Sequence, residues 1–179
     1  MIAPDMLIST IGHSTRSIEE FIRLLEMNGV DQLADIRTIP RSRHNPQFNL
    51  ESLSASLKEA GVSYQHLPLL GGLRPARSDS VNTAWRNSSF RGFADYMQTP
   101  EFEQGLERLI ELASKAPAAI MCAEAMPWRC HRSLVADALV ARGIAVQHIQ
   151  SASGVQPHSL TPFAKVEGVR VTYPGLMVQ

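Results

Sequence analysis

The chain holds two cysteines, Cys122 and Cys130, and both lie in one eleven-residue segment, CAEAMPWRCHR, running from Cys122 to Arg132. Cysteines used as core filler would more often be scattered, so the pairing points to a shared task. The same segment carries Glu124, Arg129, His131 and Arg132. A helix start leaves backbone N–H groups unpaired and partially positive, which suits an anion. Arg132, with Arg129 nearby, adds a guanidinium fork that fits phosphate or carboxylate. The competing reading is structural: Arg132 pairs internally with Asp35 or Glu124 and holds loops together.

Three other chemistries compete for these residues. A strand, a cysteine-bearing loop and a helix form the layout of rhodanese-like and phosphatase-like enzymes. Cys122 is therefore a nucleophile candidate, its thiol pKa lowered by His131 or Arg132. Two features count against it. The gap from Cys122 to Arg129 is one residue longer than the Cys-x5-Arg of phosphatases, and the loop AEAMPW has no glycine to shape a cradle of N–H groups. Cys122, Cys130, His131 and His13 could supply a tetrahedral metal set, although Cys-x7-Cys-His is not a usual zinc spacing. Glu124, Asp35 and His13 are candidates for proton transfer; carboxylates beside arginines stay ionised and suit a base.

The elements that must position these groups follow from periodicity. Leu7–Ile11 reads as a first strand. Ser17–Glu20 is a capping box, Ile18, Phe21, Ile22 and Leu25 recur at helical spacing, and Asn28-Gly29 ends that helix. Gln32–Ile36 is a second strand. Arg37–Phe48 is a loop, Asn49 caps a helix that stops at Gly61, and Val62–Leu67 is a third strand. The stretch Gly71–Gly92 is irregular, and loops of that length are usually functional or disordered. Thr99-Pro100-Glu101 starts a helix whose stripe is Phe102, Leu106, Leu109, Ile110 and Ala113. Ala118–Met121 is apolar throughout and so central. A helix from about Cys130 to Arg142 and a fifth strand, Ile144–Ile149, complete the pattern. The tail from Ser151 has weak periodicity, with one strand candidate at Val169–Tyr173.

Strands alternating with helices predict an α/β fold: one compact domain with a mainly parallel sheet flanked by helices on both faces. Its core spans about 7–149, with an irregular tail over 151–179. In such sheets ligands bind beyond the carboxyl ends of the strands. Here those ends release His13-Ser14, Asp35-x-Arg37, His66 before Gly71-Gly72, and Cys122-x-Glu124.

Charge sharpens the expectation. Lys plus Arg and Asp plus Glu each number 17, so bulk charge does not make this chain a nucleic-acid coat. Locally, Ile36–Leu50 holds Arg37, Arg41, Arg43 and His44 with no acid, and Gly71–Gly92 holds Arg74, Arg77, Arg86 and Arg91 against Asp79 alone. Both stretches should overhang the same sheet edge. Trp85, Phe90 and Trp128 lie among these arginines, where aromatics stack bases or simply anchor a loop. No apolar run suits a membrane span, MIAPDMLIST does not read as a secretory leader, and two cysteines make a reducing cytoplasm the default.

Thr10-Ile-Gly-His-Ser14, Asp35-x-Arg37 with Pro40-x-Ser42, Leu70-Gly-Gly72, and Cys122-x-Glu124 followed by Cys130-His-Arg132 resemble the signature blocks of domain-of-unknown-function family 488 (DUF488). The resemblance runs from about Leu7 to Ile149 and implies a compact α/β domain, but no reaction. The candidate set is then His13, Glu124, His131 and Cys122 for catalysis. Ser14, Asp35, Arg37, Ser42, Gly71, Gly72, Cys130 and Arg132 are the candidates for ligand binding. No metal ligand and no cofactor is assigned. The expected function is an enzyme acting on a phosphate-containing substrate, a nucleotide or nucleic-acid end. The alternatives are a nucleotide- or single-strand-binding module without chemistry, a Cys/His metal site, and an interaction protein whose motif is a structural network.

Overall fold

A computed structural model describes residues 5–175. The central strand β1 (Leu7–Gly12) leads into α1 (Ile18–Met27), which starts where Ser17 accepts the Glu20 N–H. The box is half closed: the Glu20 carboxylate pairs with Arg16 instead of reaching back. β2 (Gln32–Asp35), α2 (Leu50–Glu59) and β3 (Ser63–His66) follow. Asn49 precedes α2 as expected, but its side chain accepts the Ser42 N–H and caps nothing. α3 (Ser88–Tyr96) occupies the end of the stretch expected to be irregular. α4 (Pro100–Lys115), β4 (Ala118–Cys122), α5 (Arg132–Ala141) and β5 (Ala145–Ser151) complete the alternation. The tail carries β8 (Arg170–Thr172) within the strand candidate Val169–Tyr173, and, where it was expected to be irregular, β6 (Gly154–Pro157) and β7 (Lys165–Glu167), which pairs with β8 in a separate hairpin. Residues 1–4 and 176–179 of the expected domain lie outside the described residues.

The main sheet has the order β3-β2-β4-β1-β5-β6, parallel except for β6. Alternate residues of each strand feed two cores. Ile11, Leu33, Ala119 and Met121 pack against Phe21 and Leu24 of α1 and Leu53 and Leu57 of α2. Ile8, Ile36, Ile120 and Cys122 pack against α4 and α5 on the other face. α5 was expected to bury one stripe. It buries all eight residues from Arg132 to Leu139, because β8 and Tyr173 cover its outer side.

β4 sits between β2 and β1, and the chain leaves β4 toward one face while it leaves β1 and β2 toward the other. Divergence of this kind opens a crevice at the carboxyl ends of the strands. Among the described residues no helix is long and apolar enough to cross a membrane.

Candidate functional site

The loop after β4 is held by its own carbonyl groups. His13 N–H donates to the Cys122 carbonyl and Ser14 N–H to that of Ala123, each at 2.9 Å. Arg132 Nη2 donates to the carbonyls of Glu124 at 3.2 Å and Ala125 at 3.1 Å. Four successive carbonyls are thus fixed, which gives the glycine-free loop one shape. The loop passes so close over β1 that a Cβ on Gly12 would stand 1.7 Å from the Glu124 carbonyl oxygen. Only glycine fits there. Ser14 turns the chain away with φ 49°, in the left-handed region.

Asp35 and Arg37, two apart at the end of β2, form a buried bidentate pair: Nε to Oδ1 at 2.9 Å and Nη2 to Oδ2 at 2.7 Å. Tyr64 O–H donates to the same Oδ2 at 2.5 Å, and Arg37 Nη2 also donates to the Phe48 carbonyl. Burial, then the Asp35 charge, pushes the Tyr64 phenol well above its usual pKa, so it stays a donor. His13 stacks on Phe48 with ring centroids 4.4 Å apart. Its Nδ1 lies 2.9 Å from the Ser14 carbonyl, which makes that nitrogen the donor and leaves Nε2 to accept from Arg37 Nη1 at 3.4 Å. Burial lowers its pKa.

A cavity of about 450 Å³ opens at this edge. Arg37, Arg41 and Arg129 line it together with Glu124, Cys122, Cys130 and His131. Thr38, Gly72, Asn87 and Ser89 add polar or small surface, and Ile39, Leu73 and Phe90 an apolar rim. With Arg37 matched by Asp35, Arg41 and Arg129 against Glu124 leave the cavity lining with a net positive charge.

Behind its floor lies Arg132, 1% exposed. Its Nη2 is spent on the loop, while Nε and Nη1 find no partner among the described residues. The Cys122 thiol is brought below its ordinary pKa. Burial acts to raise it, and the hydrogen bond with Cys130 together with the Arg132 charge outweighs burial. Cys130 moves the other way, raised by burial and by Cys122. Cys130 Sγ accepts the Arg132 backbone N–H at 3.4 Å and lies 3.4 Å from His131 Nδ1. His131 Nε2 donates to the Ile36 carbonyl at 3.0 Å, and burial pushes this ring down to about 4, so it is neutral near pH 7.

Of the twelve site candidates, Arg37, Gly72, Cys122, Glu124, Cys130 and His131 line the cavity. The other six do not line it. His13 and Ser14 hold the loop, Asp35 holds Arg37, and Arg132 lies beneath. Ser42 accepts the Asn45 N–H inside its own loop. Gly71 packs so tightly on Thr38 that a Cβ would meet its Oγ1 at 2.5 Å, and Gly72 stands equally close to the His131 ring. Loop arginines expected to gather at this edge divide: Arg74 bonds the Gly71 and Pro68 carbonyls over the Tyr96 ring, Arg77 pairs with Asp79, and Arg91 bonds the Trp85 carbonyl. Cys122, Cys130, His131 and His13 do not assemble as a metal set; among the described residues no three His, Cys, Asp or Glu side chains are grouped to hold an ion.

One polar network was not anticipated. Thr10 Oγ1 lies 2.6 Å from His148 Nδ1, His148 Nε2 lies 2.8 Å from His158 Nδ1, and His158 Nε2 lies 2.8 Å from Asp137 Oδ1. Tyr173 O–H donates to Asp137 Oδ2 at 2.7 Å. Burial, then His158 and Arg132, pushes His148 down to about 3. These residues are far apart in sequence, and only Thr10 falls in a signature block. The only local hint is a histidine inside the apolar fifth strand.

Residues 17–139 match the family model described as "Domain of unknown function DUF488". The chain belongs to this family. The DUF488 match runs from α1 into α5, including the Asp35–Arg37 pair and the whole Cys122–Arg132 segment, and is shorter than the expected span of 7–149. The search of curated proteins and that of solved structures returned no match.

Proposed function

We propose that this DUF488 protein is an enzyme acting on a phosphate-bearing substrate of the nucleotide or nucleic-acid class, bound in the cavity at the carboxyl edge of the sheet. The observation that carries the reading is the convergence of Arg37, Arg41 and Arg129 on one cavity beside a single carboxylate, Glu124. The guanidinium groups hold the phosphoryl oxygens and offset charge that builds on them. Arg37 is pre-set by Asp35 and keeps one Nη1 N–H beyond its bond to His13. Glu124 is exposed at the cavity wall and serves as the base that takes a proton from an attacking hydroxyl or water. Cys122 is the alternative reactive group, because its thiol is the one held below the ordinary range. His13 and His131 have their ring nitrogens engaged and act as supports.

The test is a thermal-shift titration with inorganic phosphate, ribose 5-phosphate and nucleotides, followed by turnover assays. Arg129→Ala and Arg41→Ala, both at exposed positions, should each weaken phosphate-dependent stabilisation about tenfold or more. Glu124→Gln should keep binding and lose turnover. Retained turnover in Glu124→Gln would move the chemistry to Cys122, testable with Cys122→Ser. Binding with no turnover of any substrate would make the protein a binding module, and no stabilisation by any phosphate compound would refute the site.

A further inference from the structure

A second cavity, about 380 Å³, lies on the other side of the 3-10 turn Pro127–Arg129. We propose that this cavity, walled by Trp85, Trp128, Phe163 and the rings of His148 and His158, takes the heterocyclic base of a nucleotide whose phosphate sits in the arginine-lined cavity. The proposal rests on the phosphate reading above and adds where the rest of the ligand goes.

Three observations support it. The chain has two tryptophans and both line this one cavity, with Trp128 59% and Phe163 42% exposed. That is a large aromatic surface left facing water. The histidine nitrogens are all engaged in the chain from Thr10 to Asp137, so these side chains offer ring faces rather than hydrogen-bonding edges. A ligand here is held by stacking, which every nucleobase can do. Finally, Trp128 in this cavity and Arg129 in the other are consecutive, so their Cα atoms are about 3.8 Å apart. A ligand with a flat ring at one end and a phosphate at the other can lie across the turn and fill both.

Because both tryptophans line the cavity, intrinsic fluorescence reads it directly. Wild type, Trp128→Ala, Phe163→Ala and Arg129→Ala would be titrated with AMP, ribose 5-phosphate and a short adenine single strand. Trp128 and Phe163 are exposed, so their replacement leaves the fold intact. AMP should quench the wild type saturably and bind about tenfold or more weaker to Trp128→Ala. Ribose 5-phosphate, followed by thermal shift, should bind that variant as it binds wild type, and Arg129→Ala should weaken both ligands. AMP binding no tighter than ribose 5-phosphate, or unchanged in both aromatic variants, overturns the base cavity while the phosphate site stands. Failure of ribose 5-phosphate and AMP alike overturns the phosphate site and this proposal with it. A strand that binds tighter than AMP and loses that advantage in Trp128→Ala supports the cavity and makes the base part of a polymer.

Discussion

Arg132 shows how a residue can be central to a candidate site without lining its cavity. Its position after Cys130-His131 reads from sequence as a ligand-binding fork, because spacing gives proximity along the chain but not direction. In the fold its Nη2 holds two loop carbonyls and the rest of the guanidinium is buried beside the thiol pair. A buried cation without a carboxylate is costly, and the Arg132 charge helps hold the Cys122 thiol below its ordinary pKa. Arg132→Met should therefore shift the pH profile of Cys122 alkylation upward by about one unit or more; an unchanged profile would show that the cation does not act on the thiol. The Asp35–Arg37 pair was easier to foresee as neighbours, since residues two apart after a strand share a turn. That it serves to orient Arg37 depends on Tyr64 and Phe48, which no motif announces. Asp35→Asn leaves the Arg37 charge buried without its partner and should cost about 3–5 kcal/mol in urea unfolding, against about 1–2 kcal/mol for Tyr64→Phe.

Elements were legible wherever one face alone is buried. The stripes of α1, α2 and α4 follow their apolar spacing, and Ser17 and Thr99 cap as their types predict. α3 was hidden because Gly92 interrupts it. That glycine answers to packing rather than helix propensity: a Cβ there would stand 2.0 Å from the Arg74 carbonyl oxygen. The local signal was Asn87, whose side chain accepts the N–H groups of Ser89 and Phe90. Asn87→Ala should cost about 1 kcal/mol, measured as a lowered urea midpoint. Close approach also governs β1. Gly12→Ala forces the 122–126 loop outward and should cost about 1–3 kcal/mol. The same change should abolish stabilisation by ribose 5-phosphate; stabilisation at wild-type strength would show that the loop tolerates displacement.

For the molecule as a whole, the alternation of elements gave the parallel sheet, its two cores and the edge that carries the site. In the tail only β8 was legible, inside the strand candidate Val169–Tyr173; β6 and β7 were not, because three- and four-residue strands leave almost no periodic signal. Buried neutral histidines give the fold a pH dependence. His131 and His148 are held at about 4 and about 3, below the 6.5 of a free imidazole. The unfolded chain therefore takes up protons first as the pH falls. Stability contributed by these groups is complete above about pH 6.5 and declines below it, by up to roughly 1.4 kcal/mol per pH unit for each. Urea midpoints compared between pH 7 and pH 5 would read the decline, and a flat profile would mean that both rings protonate as readily in the folded chain as in the unfolded one. The last element described, Tyr173, has a consequence for how the protein is made. Its phenol is fully buried against Asp137, and its N–H donates to Asn82. The family match ends at residue 139, but α5 gains its outer cover only from residues beyond 170. A growing chain on the ribosome thus carries a finished α5 for some thirty further codons before its outer side is covered. Over that interval the nascent chain offers chaperones an apolar helix face that the finished fold conceals.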